Sequence, residues 1–127
     1  MVVVHRLDRS VAFYRELLDL DVGAASGEAV LLSSRRGDRL VLRELGAAPH
    51  VSAGIGVLFL IWSVQSAADL DRAEAVLRAR EAFASRSVDE GWDVLEGHDP
   101  DNIRVVVACP PVSGSQRTSL PARVYGY

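Results

Sequence analysis

The stretch Leu7-Asp8-Arg9-Ser10-Val11-Ala12-Phe13-Tyr14-Arg15-Glu16-Leu17-Leu18 has the apolar spacing of an amphipathic helix. Val11, Tyr14 and Leu18 recur at helical intervals, Phe13 and Leu17 widen the stripe, and Arg9, Arg15 and Glu16 fall on the solvent side. Asp8 and Ser10 are the residue types that cap a helix start, and they are expected to do so here. Before the helix, Val2-Val3-Val4 reads as a short buried strand ending at His5-Arg6. After it, residues 20–22 read as extended, small residues to Gly27 as a loop, and residues 29–33 and 39–43 as two strands. The turn residues Arg35-Arg36-Gly37-Asp38 join those strands as a hairpin.

The same order then recurs. A connector rich in Gly, Ala and Pro over residues 45–54 leads to a strand over 56–62. A helix over 69–80 follows, with Leu70, Ala73 and Leu77 on one face, and then strands over 83–88, 91–95 and 103–109. From Pro110 the chain reads as irregular, with the tyrosines of Val124-Tyr125-Gly126-Tyr127 as a surface anchor. Strand, helix and three strands, twice, is an internal repeat. Two such modules side by side let their sheets curve around a shared cavity with the helices outside.

Composition narrows the function. The 127 residues suit one domain, and 14 basic against 17 acidic residues give a net charge of −3 without a basic stripe or patch. This disfavours partnership with nucleic acid or a membrane surface. Cys109 is the single cysteine, so no intramolecular disulfide forms, and its apolar surroundings predict a buried, inert thiol. The start Met1-Val2-Val3-Val4-His5-Arg6 lacks the apolar run of a signal peptide, and the stretch 55–62 is far shorter than the roughly 20 residues of a membrane span. A cytoplasmic location is expected.

The first helix resembles the first-helix signature of the glyoxalase, bleomycin-resistance and extradiol dioxygenase (vicinal oxygen chelate) superfamily. Asp99-Pro100-Asp101-Asn102, followed by Ile103-Arg104-Val105-Val106-Val107, is similar to that family's Asp-Pro-Asp-Gly turn and last strand. Asp69-Leu70-Asp71-Arg72-Ala73 fits the second-module helix. The resemblance implies an α+β fold of two βαβββ modules with curved mixed sheets around a cavity, commonly dimeric. It divides the chain into one domain over 1–112 (module one 1–46, module two 54–112) and a tail over 113–127. Two departures are small: Asp19 and Asn102 stand where the family favours glycine, so both must accommodate turn geometry.

The larger departure concerns metal. The resemblance implies a divalent ion held by His and Glu at four inward strand positions. Here those positions match Val41, Val57 (or Phe59, one pleat on) and Val106, while the fourth falls before Met1. His5 reads as a strand-ending polar residue, and His50 and His98 as exposed; none is spaced with another His or Glu as a ligand pair. Glu44 reaches the cavity only with a shifted register. No metal and no other cofactor is expected, a divalent metal being the alternative.

Strand parity supplies the rest of the site. If Leu40 and Leu42 pack under the helices, then Arg39, Val41 and Arg43 face the cavity. So do Val57, Phe59 and Ile61, and on the last strand Arg104, Val106 and Ala108. This is an apolar groove edged by arginine, suited to a planar or anionic group. Equally, Arg43 and Arg104 can point to solvent and pair with Asp38 or Asp101. Trp92 either stacks on a flat ligand or packs, and packing is favoured; Trp62 and Tyr14 read as core. The expected function is metal-independent binding of a hydrophobic or aromatic small molecule by a homodimer. The alternative is a metal-dependent lyase or dioxygenase of the same superfamily.

Overall fold

A computed structural model describes residues 1–46, 59–111 and 124. The element order is β1 (Val2–Val4), α1 (Leu7–Leu18), β2 (Asp21–Ala25), β3 (Ala29–Ser33), β4 (Arg39–Glu44), β5 (Phe59–Ser63), α2 (Ala67–Ala79), β6 (Phe83–Asp89), β7 (Trp92–His98) and β8 (Arg104–Cys109). The fold is α+β, two βαβββ modules, each with a mixed four-stranded sheet. Strand order is β1-β4-β3-β2 in one sheet and β5-β8-β7-β6 in the other. In each, the first strand pairs parallel to the last, and hairpins supply the remaining antiparallel pairs. The chain forms two compact units, Met1–Leu58 with Asp99–Ile103, and Phe59–His98 with Arg104–Tyr127. No helix among the described residues is long and apolar enough to cross a membrane.

In the first unit, α1 buries Phe13, Tyr14, Leu17 and Leu18, and the sheet buries Val2, Val4, Val30, Leu32, Leu40 and Leu42. Leu42 pairs with both Val2 and Val30, and Leu40 with Leu32, so these residues share one pleat face. Each large apolar side chain so buried contributes about 1.5–3 kcal/mol. The helix start differs from the sequence expectation. Arg6 is the N-cap and makes no side-chain cap bond, because the first turn begins at Leu7 and leaves Asp8 and Ser10 already inside it. Glu44 supplies the acceptor instead, its Oε1 receiving the Leu7 N–H at 3.3 Å. That carboxylate sits beside the helix start, where the dipole favours it. Ser10 is buried, and its hydroxyl finds no partner among the described residues. Asp19 and Asn102 adopt the left-handed conformation, with φ of 53° and 64°.

In the second unit, Ser66 caps α2 by accepting the Asp69 N–H, which starts the helix at Ala67, two residues before the periodicity does. Leu70, Ala73, Val76 and Leu77 are its buried residues. β2 runs on through small residues read as loop, and β7 continues through Glu96 to His98. Both extensions follow from pairing with a neighbouring strand, which overrides weak local preference.

Arg86, on β6, ties this sheet to α2. Its Nη1 donates to Asp71 and Glu74, each at 2.7 Å, and its Nε and Nη2 to Asp93 at 3.0 and 2.8 Å. Hydrogen bonds first from Arg86 and then from Arg78 hold the Glu74 carboxyl below its usual range. A carboxyl lowered on folding contributes stability that is complete above its unfolded value, near 4.5, and is lost as pH falls below it. Glu74→Gln is therefore expected to lower the melting temperature at pH 7, with the gap to the parent chain narrowing by pH 3. An equal gap at both pH values would show that the carboxylate's charge is not what matters.

Candidate ligand-binding faces

Each sheet has one face turned to its helix and one turned away. In the second unit, Gly97 and Arg86 mark the helix side: a Cβ at Gly97 would meet Leu77, and Arg86 reaches Asp71 and Glu74. By strand alternation the opposite face carries Phe59 and Ile61 on β5, Arg104, Val106 and Ala108 on β8, and Trp92, Val94 and Glu96 on β7. The register agrees. Ile61 pairs with Val106, Val106 with Glu96, and Ala108 with Val94. Trp92, Val94, Val106, Ala108 and Val124 form a buried cluster on this face, with Ile61 packed against it.

One polar group spans this hydrocarbon surface. The Arg104 guanidinium donates from Nε and Nη2 to Glu96 Oε2 at 3.0 and 2.8 Å, and from Nη1 to the Val124 carbonyl at 3.0 Å. Its central carbon lies 5.6 Å from the centroid of the Phe59 ring, within range of a cation–π attraction. Both members of the ion pair are mostly buried, with side-chain exposures of 20% and 15%. Arg104 thus faces away from the helix as parity requires, but it pairs with Glu96. Asp101 is taken by His5, whose backbone N–H and Nδ1 lie 2.9 and 3.1 Å from its carboxylate oxygens.

Trp92 is 7% exposed, and its indole N–H has no acceptor among the described residues. A buried donor left unpaired costs about 1–3 kcal/mol.

The equivalent face of the first sheet is more open. Leu31 and Val41 pair across β3 and β4 and are half-buried, while Val3, beside Arg43, is 40% exposed. Arg39 and Arg43 are exposed on the same face. Arg43 Nη2 lies 3.7 Å from Glu28, an exposed pair of little energetic weight. Its partner is not Asp38, which the hairpin turn engages through Ser34 and Arg36.

The structure therefore gathers Phe59, Ile61, Trp92, Arg104 and Val106 on one face, and it puts Val41 and Arg43 on the helix-free face of the other sheet. Val57 and His50 lie outside the described residues. Two participants escaped sequence reasoning. Glu96 belongs to the Val106 face, but a strand ended at Leu95 hides its parity. Val124 lies in a run whose tyrosines draw the eye, yet the valine is fully buried; Tyr125 and Tyr127 lie outside the described residues.

Tyr14 and Cys109 take no part in these faces. Tyr14 donates its hydroxyl to Asp99 Oδ2 at 2.7 Å, and burial first, with the Asp99 charge second, pushes its phenol far above the usual range. Burial likewise raises the Cys109 thiol, which leaves little nucleophilic thiolate at neutral pH. The positions that the resemblance equates with metal ligands hold hydrocarbon at Val41 and Val106, which offer an ion no lone pair. Among the described residues, no three His, Cys, Asp or Glu side chains are grouped to hold a metal.

Residues 1–107 match the family model described as the Glyoxalase/Bleomycin resistance protein/Dioxygenase superfamily. Among solved structures, the chain is similar to a glyoxylase/bleomycin resistance protein/dioxygenase domain from Frankia sp. EAN1pec. The two are 26% identical with a TM-score of 0.72, over 86% of this chain and 92% of that one. A glyoxalase/bleomycin resistance protein from Albidiferax ferrireducens T118 is 20% identical with a TM-score of 0.69, over 87% and 95% of the respective chains. A lactoylglutathione lyase from Agrobacterium tumefaciens is 18% identical with a TM-score of 0.65, over 99% and 92%. The last two likenesses concern the fold alone. No curated protein matches the chain.

Proposed function

This chain belongs to the Glyoxalase/Bleomycin resistance protein/Dioxygenase superfamily, and from that premise we propose that it binds a hydrophobic or aromatic small molecule without a metal. The helix-free sheet faces are the binding surfaces. The observation that carries this reading is Val106, fully buried between Ile61 and Glu96, at the position that the motif resemblance equates with a metal-binding carboxylate. Valine cannot ligate an ion, and the neighbouring carboxylate, Glu96, is already engaged by Arg104. What remains is a surface of Phe59, Ile61, Trp92, Val94 and Ala108 with one guanidinium, an apolar lining with few polar groups of the kind that holds small ligands.

The test is equilibrium binding of a panel of aromatic compounds, followed through tryptophan fluorescence, on protein that has also been assayed for bound metal. Saturable quenching, unchanged after chelator treatment, is expected. Near-stoichiometric Ni, Zn, Fe or Mn, with turnover that the chelator abolishes, would replace this reading with that of a metal-dependent enzyme.

A further inference from the structure

The helix-free face of the second sheet is not bare: a residue of this chain's own C-terminal segment occupies it. Val124 lies outside the residues matched by the family model, which end at 107, yet its side chain is fully buried among Trp92, Val94, Val106 and Ala108. Its carbonyl oxygen accepts a hydrogen bond from Arg104 Nη1 at 3.0 Å. A branched hydrocarbon thus fills the apolar cluster while a neighbouring carbonyl meets the Arg104 guanidinium. The fit is incomplete, because the buried Trp92 indole N–H still has no acceptor among the described residues.

We propose that Val124 is a resident stand-in for the ligand, and that its two contacts reveal what the ligand is. Resting on the binding function proposed above, this deepens it: the ligand carries a branched or aromatic hydrocarbon group next to a neutral carbonyl, as in an amide or ester. A second acceptor on it pairs with Trp92. Such a molecule reproduces the two interactions of Val124 and adds the one that Val124 leaves unmade. It binds by displacing Val124, so that residue acts as a built-in competitor that lowers apparent affinity. A face occupied by Val124 in about nine molecules of ten weakens an incoming ligand about tenfold.

The experiment compares the full chain with full-length Val124→Lys, in which an ammonium would have to enter an apolar cluster beside the Arg104 guanidinium. Both are labelled with nitrogen-15 and titrated with N-acetyl-valinamide, a blocked valine with two carbonyls. The indole N–H signals are followed, and Trp92→Phe identifies that of Trp92. The expected result is a folded variant that binds about tenfold tighter than the parent chain, with the Trp92 N–H signal moving downfield as it gains an acceptor. Equal affinities in the two chains would overturn the competitor role and leave the binding face standing. Failure to bind N-acetyl-valinamide in either chain, while both bind 8-anilinonaphthalene-1-sulfonate, would overturn the ligand class alone. Failure to bind either compound would remove the binding function as well. A variant that cannot fold would make Val124 an integral part of the core and overturn the inference.

Discussion

Asp99→Ala is expected to destabilise the chain by about 3–4 kcal/mol, since one largely buried carboxylate accepts hydrogen bonds from three donors. Asp99 is 6% exposed. Its Oδ2 accepts the Tyr14 hydroxyl at 2.7 Å, and its Oδ1 accepts the backbone N–H groups of Asp101 and Ile103, each at 2.8 Å. Alanine would leave a fully buried phenol without an acceptor and would release the turn that leads into β8. Tyr14→Phe removes only one donor and leaves the carboxylate bound by two N–H groups, so it should cost about 1–2 kcal/mol. Because both changes break the same bond, the double variant should lose less than the sum of the two. Urea denaturation of the three variants measures all of these quantities. Strict additivity would mean that Tyr14 and Asp99 are not coupled, and a loss for Asp99→Ala no larger than that for Tyr14→Phe would mean that the turn does not depend on this side chain.

Gly97→Ala should cost about 2–3 kcal/mol, although it adds a single methyl group. A Cβ there would sit 2.5 Å from the Ala82 carbonyl oxygen and 2.8 and 2.9 Å from the methyl carbons of Leu77. The leucine could rotate, but the carbonyl cannot retreat freely, since it accepts the His98 N–H at 3.0 Å. Relief therefore requires α2 and the end of β7 to separate. Gly27→Ala is the control, for a Cβ at Gly27 meets nothing within 4 Å, and its effect should stay within about 0.5 kcal/mol. Thermal melts of the two variants decide the matter, and similar melting temperatures would count against close packing at Gly97.

The neighbourhood of Gly97 also illustrates what a sequence withholds. A glycine near the end of a short apolar run reads as a strand terminus, so β7 seems to stop at Leu95. It continues to His98 because its hydrogen bonds to β6 and β8 persist and the glycine admits the helix. With the strand ended early, Glu96 has no assigned face, and Arg104 is left to pair with Asp101. The true pairing is a diagonal contact across two strands, a distance that no sequence spacing encodes. Similarly, Ser10 looks like a cap until the helix is seen to begin at Leu7, where Glu44, from the far end of β4, supplies the acceptor.

The order of helices and strands, the buried stripe of α1, and the parity of β4, β5 and β8 were all determined by the linear sequence. Each follows from periodicities of 3.6 and 2 that a chain carries locally. The acceptor for the Leu7 N–H, the partners of Arg104 and the residue buried against Trp92 were decided only by tertiary structure. Those contacts join side chains far apart in the chain, and only the folded backbone brings their atoms within hydrogen-bonding reach.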